Sequence, residues 1–474
     1  MSILKRFFKD TFIYGLAIVL PRIINFLLVR LHTDNLENEA FSDNTTFYVY
    51  AAFFNVFLTY GMETAFFRFF SKTKDKAIVF STSLIALTVT TLTFGVIVFS
   101  LADQIAEILL INVRFFKILV GVTVLETLIV IPFAYLRVAG RPIRFAVLKM
   151  INVLVIVLLN ILFLSEVYGS LYLRELIPVP EKVEYVFIAN LMASIVVFIL
   201  CLPYFLKSSW KFDGSLLKNM LRYGWPIMVA GFAFVINENL DKWLLPIMVD
   251  KATNGSYAAC YKLGVFMTLF IQAFRMGAEP FFFNHAKEKN APETYARILK
   301  YFTIVGSIGL VTIIVAIEPL KHLFINESYY DALEIVPYIL LANLFLGIYH
   351  NLAVWYKLTD KTRYGMYISL IGAAITILFN VVMIDVIGFM ACAYATVTAY
   401  GTMMLISYFL GRKHYEVPYD VKRIVFYLIL STGLSLISFY QFPDNMWIGT
   451  ALLCVFLAII FFLERKELKQ VLKS

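Results

Sequence analysis

The apolar stretch VFMTLFIQAFRMGAEPFFF, Val265 to Phe283, carries an arginine and a glutamate four residues apart, Arg275 and Glu279. A guanidinium in such surroundings has two chemical uses. It binds phosphate oxygens through charge-assisted bidentate hydrogen bonds, or it neutralises a carboxylate one helical turn away. At about 100° per residue, Tyr261, Thr268, Gln272, Arg275 and Glu279 share one side of a helix, with Lys262 off that side. A similar line runs through Tyr48, Asn55, Thr59 and Glu63, and another through Lys149, Asn152 and Asn160. Arg22 and Asn25, three apart beside Pro21, add polar groups near the start, and Arg68 stands at the far end of the second line. A charge at the centre of a bilayer costs at least about 3 kcal/mol unless it meets water or a partner. The stripes therefore predict a polar cavity between two halves of a helical bundle. A plain structural use stays open beside this: Arg275 and Glu279 as a neutral pair, Arg68 snorkelling to the membrane surface.

The carboxylates Glu63, Glu126, Glu238 and Asp241 fit two roles equally, cation coupling and ordinary bonding within helices. His350 reads as a hydrogen-bonded packing residue. Cys201, Cys260, Cys392 and Cys454 lie in apolar runs without CxxC or Cys/His spacing, so neither a disulfide nor a metal site is expected. No G-x-x-x-x-G-K-[ST] loop and no G-x-S-x-G or H-E-x-x-H signature occurs. No cofactor is expected and the chain is not read as an enzyme. Any transport must draw on a proton or sodium gradient, a membrane potential or the gradient of the cargo itself.

The elements that hold these residues follow from composition. Of 474 residues 61% are hydrophobic and 15% charged, and the mean hydropathy is +0.80; soluble chains are about half apolar and about a quarter charged. Runs of about 20 apolar residues, enough to cross roughly 30 Å of hydrocarbon, recur throughout. They predict an all-α membrane protein of about fourteen spans: 11–31, 45–70, 77–100, 114–137, 143–165, 184–206, 216–238, 255–283, 297–317, 333–356, 364–386, 388–410, 423–441 and 446–463. Spans 2 and 8 exceed the hydrocarbon thickness, so they should tilt or protrude. Pro21, Pro132, Pro226 and Pro280 lie in spans 1, 4, 7 and 8 as candidate kinks.

About 29 of the 41 Lys and Arg fall in the two termini and every second loop, 8 in the other loops and 4 within spans. That bias predicts both termini in the cytoplasm and an even number of spans. It also argues against nucleic acid as a partner, because the net charge of +9 is dispersed among loops rather than gathered on one face. The basic start with Lys5, Arg6 and Lys9 is read as leading into a first membrane helix, since Pro21 and Arg22 interrupt the apolar run and no A-x-A site follows.

An internal repeat is visible at an offset of 207 residues. Tyr50, Ala51 and Ala52 match Tyr257, Ala258 and Ala259, and Phe67 and Arg68 match Phe274 and Arg275; Tyr14 and Gly15 match Tyr223 and Gly224 at nearly the same offset. The matched spans run in the same direction, which predicts two six-helix lobes, 1–212 and 213–414, in parallel pseudo-twofold repeat, followed by a helix pair and basic tail, 415–474.

Three segments, YGMETAFFRFFSK (60–72), YGWPIMVAGFAFVINENLDKWLLP (223–246) and GSYAACYKLGVFMTLFIQAFRMGAEPFFF (255–283), resemble the polysaccharide, or O-antigen, flippases of the multidrug/oligosaccharidyl-lipid/polysaccharide exporter superfamily. The resemblance extends over nearly the whole chain. It implies alternating access across a bacterial inner membrane and, as cargo, an undecaprenyl-pyrophosphate-linked oligosaccharide of the kind used for lipopolysaccharide or capsule, with membrane lipids as surroundings. Polysaccharide polymerase or glycosyltransferase partners are implied as well. By the same resemblance Arg22, Arg68 and Arg275 match the cavity cations that meet an anionic substrate on helices 1, 2 and 8. The alternatives are a lipid II flippase, a cation-coupled multidrug exporter of the same superfamily and, weakened by the shortness of the outward loops, a membrane glycosyltransferase.

Overall fold

The computed structural model describes residue 20 and residues 23–471, leaving aside 168, 287, 360, 362 and 444. Among the described residues every regular element is a helix. In chain order these are α1 (23–35), α2 (Asn38–Thr59), α3 (Met62–Lys72), α4 (Lys76–Ser100), α5 (Ala102–Ile108), α6 (Val113–Leu128), α7 (Val130–Val138), α8 (Pro142–Leu164), α9 (Leu171–Leu176), α10 (Val183–Leu206) and α11 (Gly214–Met248). They continue with α12 (Lys251–Tyr261), α13 (Val265–His285), α14 (Ala291–Val315), α15 (Ile317–Phe324), α16 (Val336–Leu352), α17 (Val354–Leu358), α18 (Arg363–Ile387), α19 (Met390–His414), α20 (Val421–Gln441) and α21 (Met446–Val471).

Twelve spans among the described residues are long and apolar enough to cross a membrane, and they coincide with expected spans 3 to 14. Their outer faces are those of a protein dissolved in lipid: Val96, Val386 and Ile429 are each about 70% exposed. Most of span 1 lies outside the described residues. Span 2 is α2 and α3, and the entry of α2 is too polar to count as an apolar crossing, carrying Asn38, Glu39, Asp43 and Asn44. Side chains fix several helix starts. Asp75 accepts from the N–H groups of Ala77 and Ile78, Asp213 from those of Ser215 and Leu216, and proline opens α8 at its first position.

The breaks inside the long spans have separate causes. Span 4 divides at Ile129, one turn before Pro132, whose ring crowds the carbonyl four residues back and cannot donate to it. Span 2 divides without proline. Tyr60 and Gly61 both adopt positive φ, 34° and 73°, and a Cβ on Gly61 would stand 2.4 Å from the Gly224 carbonyl oxygen of α11. Two backbones thus meet at a pair of glycines, which leaves no room for a side chain. Span 8 is interrupted by a 3-10 turn at Lys262–Gly264, so Tyr261 is out of helical register with Thr268, Gln272 and Arg275. Pro226, in contrast, sits inside an unbroken α11.

The chain clusters into two compact units, 1–258 and 259–474. In the first, α2 packs on α6 and α11, α10 on α6 and α8, and α3 on α7. Its core gathers Phe66, Leu84, Leu87 and Ile131. The start of α12 closes on α2 through polar contacts: Asn38 donates to Ser256 at 2.9 Å, Asn254 donates to Ser42 at 2.7 Å and Lys251 pairs with Asp43 at 2.8 Å. In the second unit α16 packs on α19, α18 on α19, and α14 on α16 and α20.

Candidate functional site

The polar residues of spans 2, 4 and 5 come together inside the first unit. Asn55, Thr59 and Glu63 from α2 and α3, Glu126, Val130, Phe133 and Arg137 from α6 and α7, and Phe145, Lys149 and Asn152 from α8 line one cavity of about 340 Å³. Phe145, Lys149 and Asn152 share one face of α8, while the other two sets reach the cavity from both sides of the breaks at Tyr60–Gly61 and Ile129. Five sequence candidates (Asn55, Glu63, Glu126, Lys149 and Asn152) are therefore neighbours. Arg137, the last residue of the expected span 4, is a sixth member. Its signal was present, because Glu126, Val130, Phe133 and Arg137 follow the spacing i, i+4, i+7, i+11.

Arg137 Nη1 donates to Glu63 Oε1 at 2.9 Å, and its guanidinium lies 4.8 Å from the centroid of Phe67. Both charged side chains are 43% exposed. A pair so open contributes about 0–1 kcal/mol, so a ligand can part it. Lys149 Nζ stands 4.8 Å from the centre of the Phe133 ring. No described residue makes a hydrogen bond or an ion pair within 4 Å with the Glu126 carboxylate, and the side-chain amides of Asn55 and Asn152 are likewise unengaged among the described residues. The cavity thus offers carboxylates, amides and cations with spare hydrogen-bonding capacity, together with the flat faces of Phe133 and Phe145.

Glu238 and Asp241 lie elsewhere, on α11, and are built differently. Asp241 and Lys242 are buried and joined at 3.0 Å, Tyr257 donates to Asp241 at 2.6 Å, and Lys242 also donates to the Glu238 carbonyl at 2.9 Å. Removing one partner of so enclosed a pair costs about 3–5 kcal/mol. That is the arrangement of a fixed strut.

In the second unit Arg275 is partly buried on α13, with Nη1 3.4 Å from His350 Nε2 of α16. Gln272, one turn earlier, has a buried Oε1 that accepts no hydrogen bond among the described residues. Arg68 is exposed and places its guanidinium 4.2 Å above the Tyr223 ring. Asn25 is exposed on α1. Arg22 and the side chain of Glu279 lie outside the described residues. Among the described residues no group of His, Cys, Asp and Glu is arranged to hold a metal ion.

The comparisons with known proteins bear on what such a bundle is. The profile of the polysaccharide biosynthesis protein family matches residues 7–285, more than half of the chain. The chain belongs to that family. A second profile, MatE, matches residues 226–382, and both place the protein in the exporter superfamily that the sequence resembles. No functionally curated protein matches it. Among solved structures, the lipid II flippase MurJ in an inward closed conformation is similar with a TM-score of 0.71 at 16% identity, over 97% of this chain and 99% of that one. An inward-facing multidrug resistance MATE family transporter is similar at 0.65 and 13%, over 86% of this chain and 95% of that one. The MATE multidrug transporter DinF-BH in complex with R6G follows at 0.64 and 16%, over 90% and 97%. At these identities the likeness is one of fold. This member of the polysaccharide biosynthesis family is thus a multi-pass membrane protein with the architecture of flippases and exporters.

Proposed function

We propose that the protein is a flippase that carries an undecaprenyl-pyrophosphate-linked oligosaccharide, such as an O-antigen or capsular repeat unit, from the cytoplasmic to the periplasmic leaflet of a bacterial inner membrane. Both termini are placed in the cytoplasm by the bias of Lys and Arg. The observation that carries this reading is the cavity of the first unit, in a chain of the polysaccharide biosynthesis family. Sugar hydroxyls need donors and acceptors at close intervals, and the unengaged amides of Asn55 and Asn152 beside Glu126 supply both. Arg275, Arg68 and Arg22 are assigned to the pyrophosphate, whose oxygens suit guanidinium groups. Translocation proceeds by alternating access of two six-helix lobes, which requires cargo to bind the two conformations with different affinity. Neither a catalytic step nor a cofactor is needed. Glu126 is the residue we assign to coupling with a cation gradient, since Glu63 and Asp241 already hold cationic partners. Among macromolecular partners, polymerase or glycosyltransferase enzymes of the same polysaccharide would receive or supply the cargo.

The test is the sidedness of the lipid-linked glycan in cells depleted of the protein. Accumulation of assembled glycan inaccessible to a periplasmic modifying enzyme, with loss of surface polysaccharide, is the expected result. A normal pool with intact surface polysaccharide would contradict the reading. The whole-length fold likeness to the lipid II flippase favours one second reading, lipid II as cargo. It predicts that the pool trapped on depletion is peptidoglycan precursor, with surface polysaccharide unaffected until growth stops.

A further inference from the structure

The first unit has a second and larger concavity, about 720 Å³, at the end that carries the basic loops. Four cations line it: Lys76 at the start of α4, Arg141 and Arg144 at the start of α8, and Lys207 just beyond α10. No Asp or Glu is among its lining residues. None of the four cations is in an ion pair among the described residues; Lys76 stands 5.4 Å from the Phe70 ring centre and Arg141 6.0 Å from that of Tyr135. The nearby carboxylates are spent on helix starts, Asp75 on Ala77 and Ile78 and Asp213 on Ser215 and Leu216. The start of α8 has no side-chain cap, so the positive end of a 23-residue helix adds to the same field. The four like charges lining one concavity are exposed, so water and salt weaken their repulsion, and a bound anion relieves what remains.

We propose that this concavity binds the phosphate of an anionic lipid headgroup in the leaflet facing the basic loops. Lys and Arg contact the phosphate oxygens, Tyr204 and Ser208 stand at the same wall as further hydrogen-bonding groups, and Phe80, Leu200 and Pro203 receive the start of the acyl chains. The chemistry separates this site from the 340 Å³ cavity, where carboxylates and amides stand beside the cations. A soluble phosphate offers the same oxygens without the chains, so apolar contact distinguishes the two sources.

Native mass spectrometry of the full-length protein in neutral detergent tests this, with phosphatidylglycerol, phosphatidylcholine and inorganic pyrophosphate titrated separately. Phosphatidylglycerol should bind saturably and phosphatidylcholine should not. The K76Q/R141Q/R144Q/K207Q variant should lose phosphatidylglycerol affinity by at least about tenfold, given the attraction each basic residue contributes at an anionic surface. K218Q/R222Q/R412Q/K413Q, which removes the same charge at residues that do not line the concavity, should stay within about twofold of the parent, because a headgroup held in the concavity touches none of them. If the quadruple variant does not fold, K76Q/K207Q should show a smaller loss in the same direction. Equal phosphatidylglycerol binding by the parent and the concavity variants overturns the site. Saturable pyrophosphate binding without any for phosphatidylglycerol overturns the lipid as its source.

Discussion

Exposure separates the charged residues that hold the protein together from those free to act. The Glu63–Arg137 pair, 43% exposed on both sides, contributes about 0–1 kcal/mol. Its loss should leave folding nearly intact, whereas Asp241→Ala, which takes the carboxylate from the buried Lys242, should cost about 3–5 kcal/mol. Thermal unfolding of the two variants in detergent should therefore separate E63Q from D241A by about 2–5 °C in a chain of 474 residues, and equal melting points would refute the assignment. Glu126→Gln should leave stability near that of the parent and abolish the dependence of export on an imposed pH gradient, measured in vesicles carrying labelled lipid-linked glycan. Arg275→Lys should keep the charge and lose the bidentate fork, giving partial export where Arg275→Ala gives little; normal export by the alanine variant at normal protein levels would remove Arg275 from the mechanism. Residue types and spacing were enough to bring Asn55, Glu63, Glu126, Lys149 and Asn152 to notice, because a polar group in an apolar helix is costly and therefore conspicuous. That they share one cavity was not legible, since it depends on which helices are neighbours. Arg137 was hidden for a related reason: at a helix end an arginine looks the same whether it snorkels to water or turns inward to Glu63.

At the scale of elements, local rules located the helices and tertiary contact decided where they break. The span 4 break precedes Pro132, as steric crowding at the carbonyl four residues back requires. Nothing in a hydropathy profile signals the break at Tyr60–Gly61, which exists because Gly224 approaches its backbone from a helix more than 150 residues later. Gly61→Ala meets both the positive φ and the 2.4 Å contact. It should destabilise the protein by about 1–3 kcal/mol, or prevent accumulation altogether. Gly140→Ala, at φ 63° with no atom within 4 Å of the added Cβ, carries the backbone strain alone and should cost less. Similar losses in the two variants would show that the α11 contact is unimportant. The helix starts outside the membrane give a pH signature. The N–H of Leu216 and the hydroxyl of Ser215 hold the Asp213 carboxyl below its usual range, and the N–H and hydroxyl of Thr253 do the same for Asp250. A depressed folded-state pKa stabilises fully above the unfolded value of about 3.9 and is lost as pH falls through the folded value. Asn caps without titrating, so D213N/D250N should match the parent at pH 7 and lose less stability than it does on acidification below about pH 4.

For the whole molecule, the question is whether the C-terminal helix pair is an appendage or part of the second unit. From sequence α20 and α21 read as a helix pair followed by a basic tail, with Glu464 just past the end of the expected last span. In the fold Glu464 is buried. One of its oxygens pairs with Lys300 of α14 at 2.9 Å, both side chains being 5% exposed or less. The other accepts from Arg423 at 2.8 Å and from Tyr427 at 2.7 Å. Around this knot Val311 and Val315 of α14 pack with Tyr427 and Leu434 of α20 and Phe456 and Ile460 of α21. An appendage would leave α14 able to fold alone, but without the pair Lys300 would be a buried cation with no counter-charge from Glu464 and the apolar face of α14 would be uncovered. A chain ending at residue 415 should therefore fail to accumulate in membranes. The sharper test is a cycle on the knot itself. Glu464→Gln should cost about 3–5 kcal/mol because it takes the counter-charge from the buried Lys300, and Lys300→Met should cost less because Arg423 and Tyr427 still hold the Glu464 carboxylate. K300M/E464Q should then be less damaging than the sum of the two singles, since each change removes a charge that the other deprives of its opposite. Strict additivity, or a shortened chain that accumulates and exports glycan, would show that α20 and α21 only border the second unit and that their buried charges are incidental to its fold.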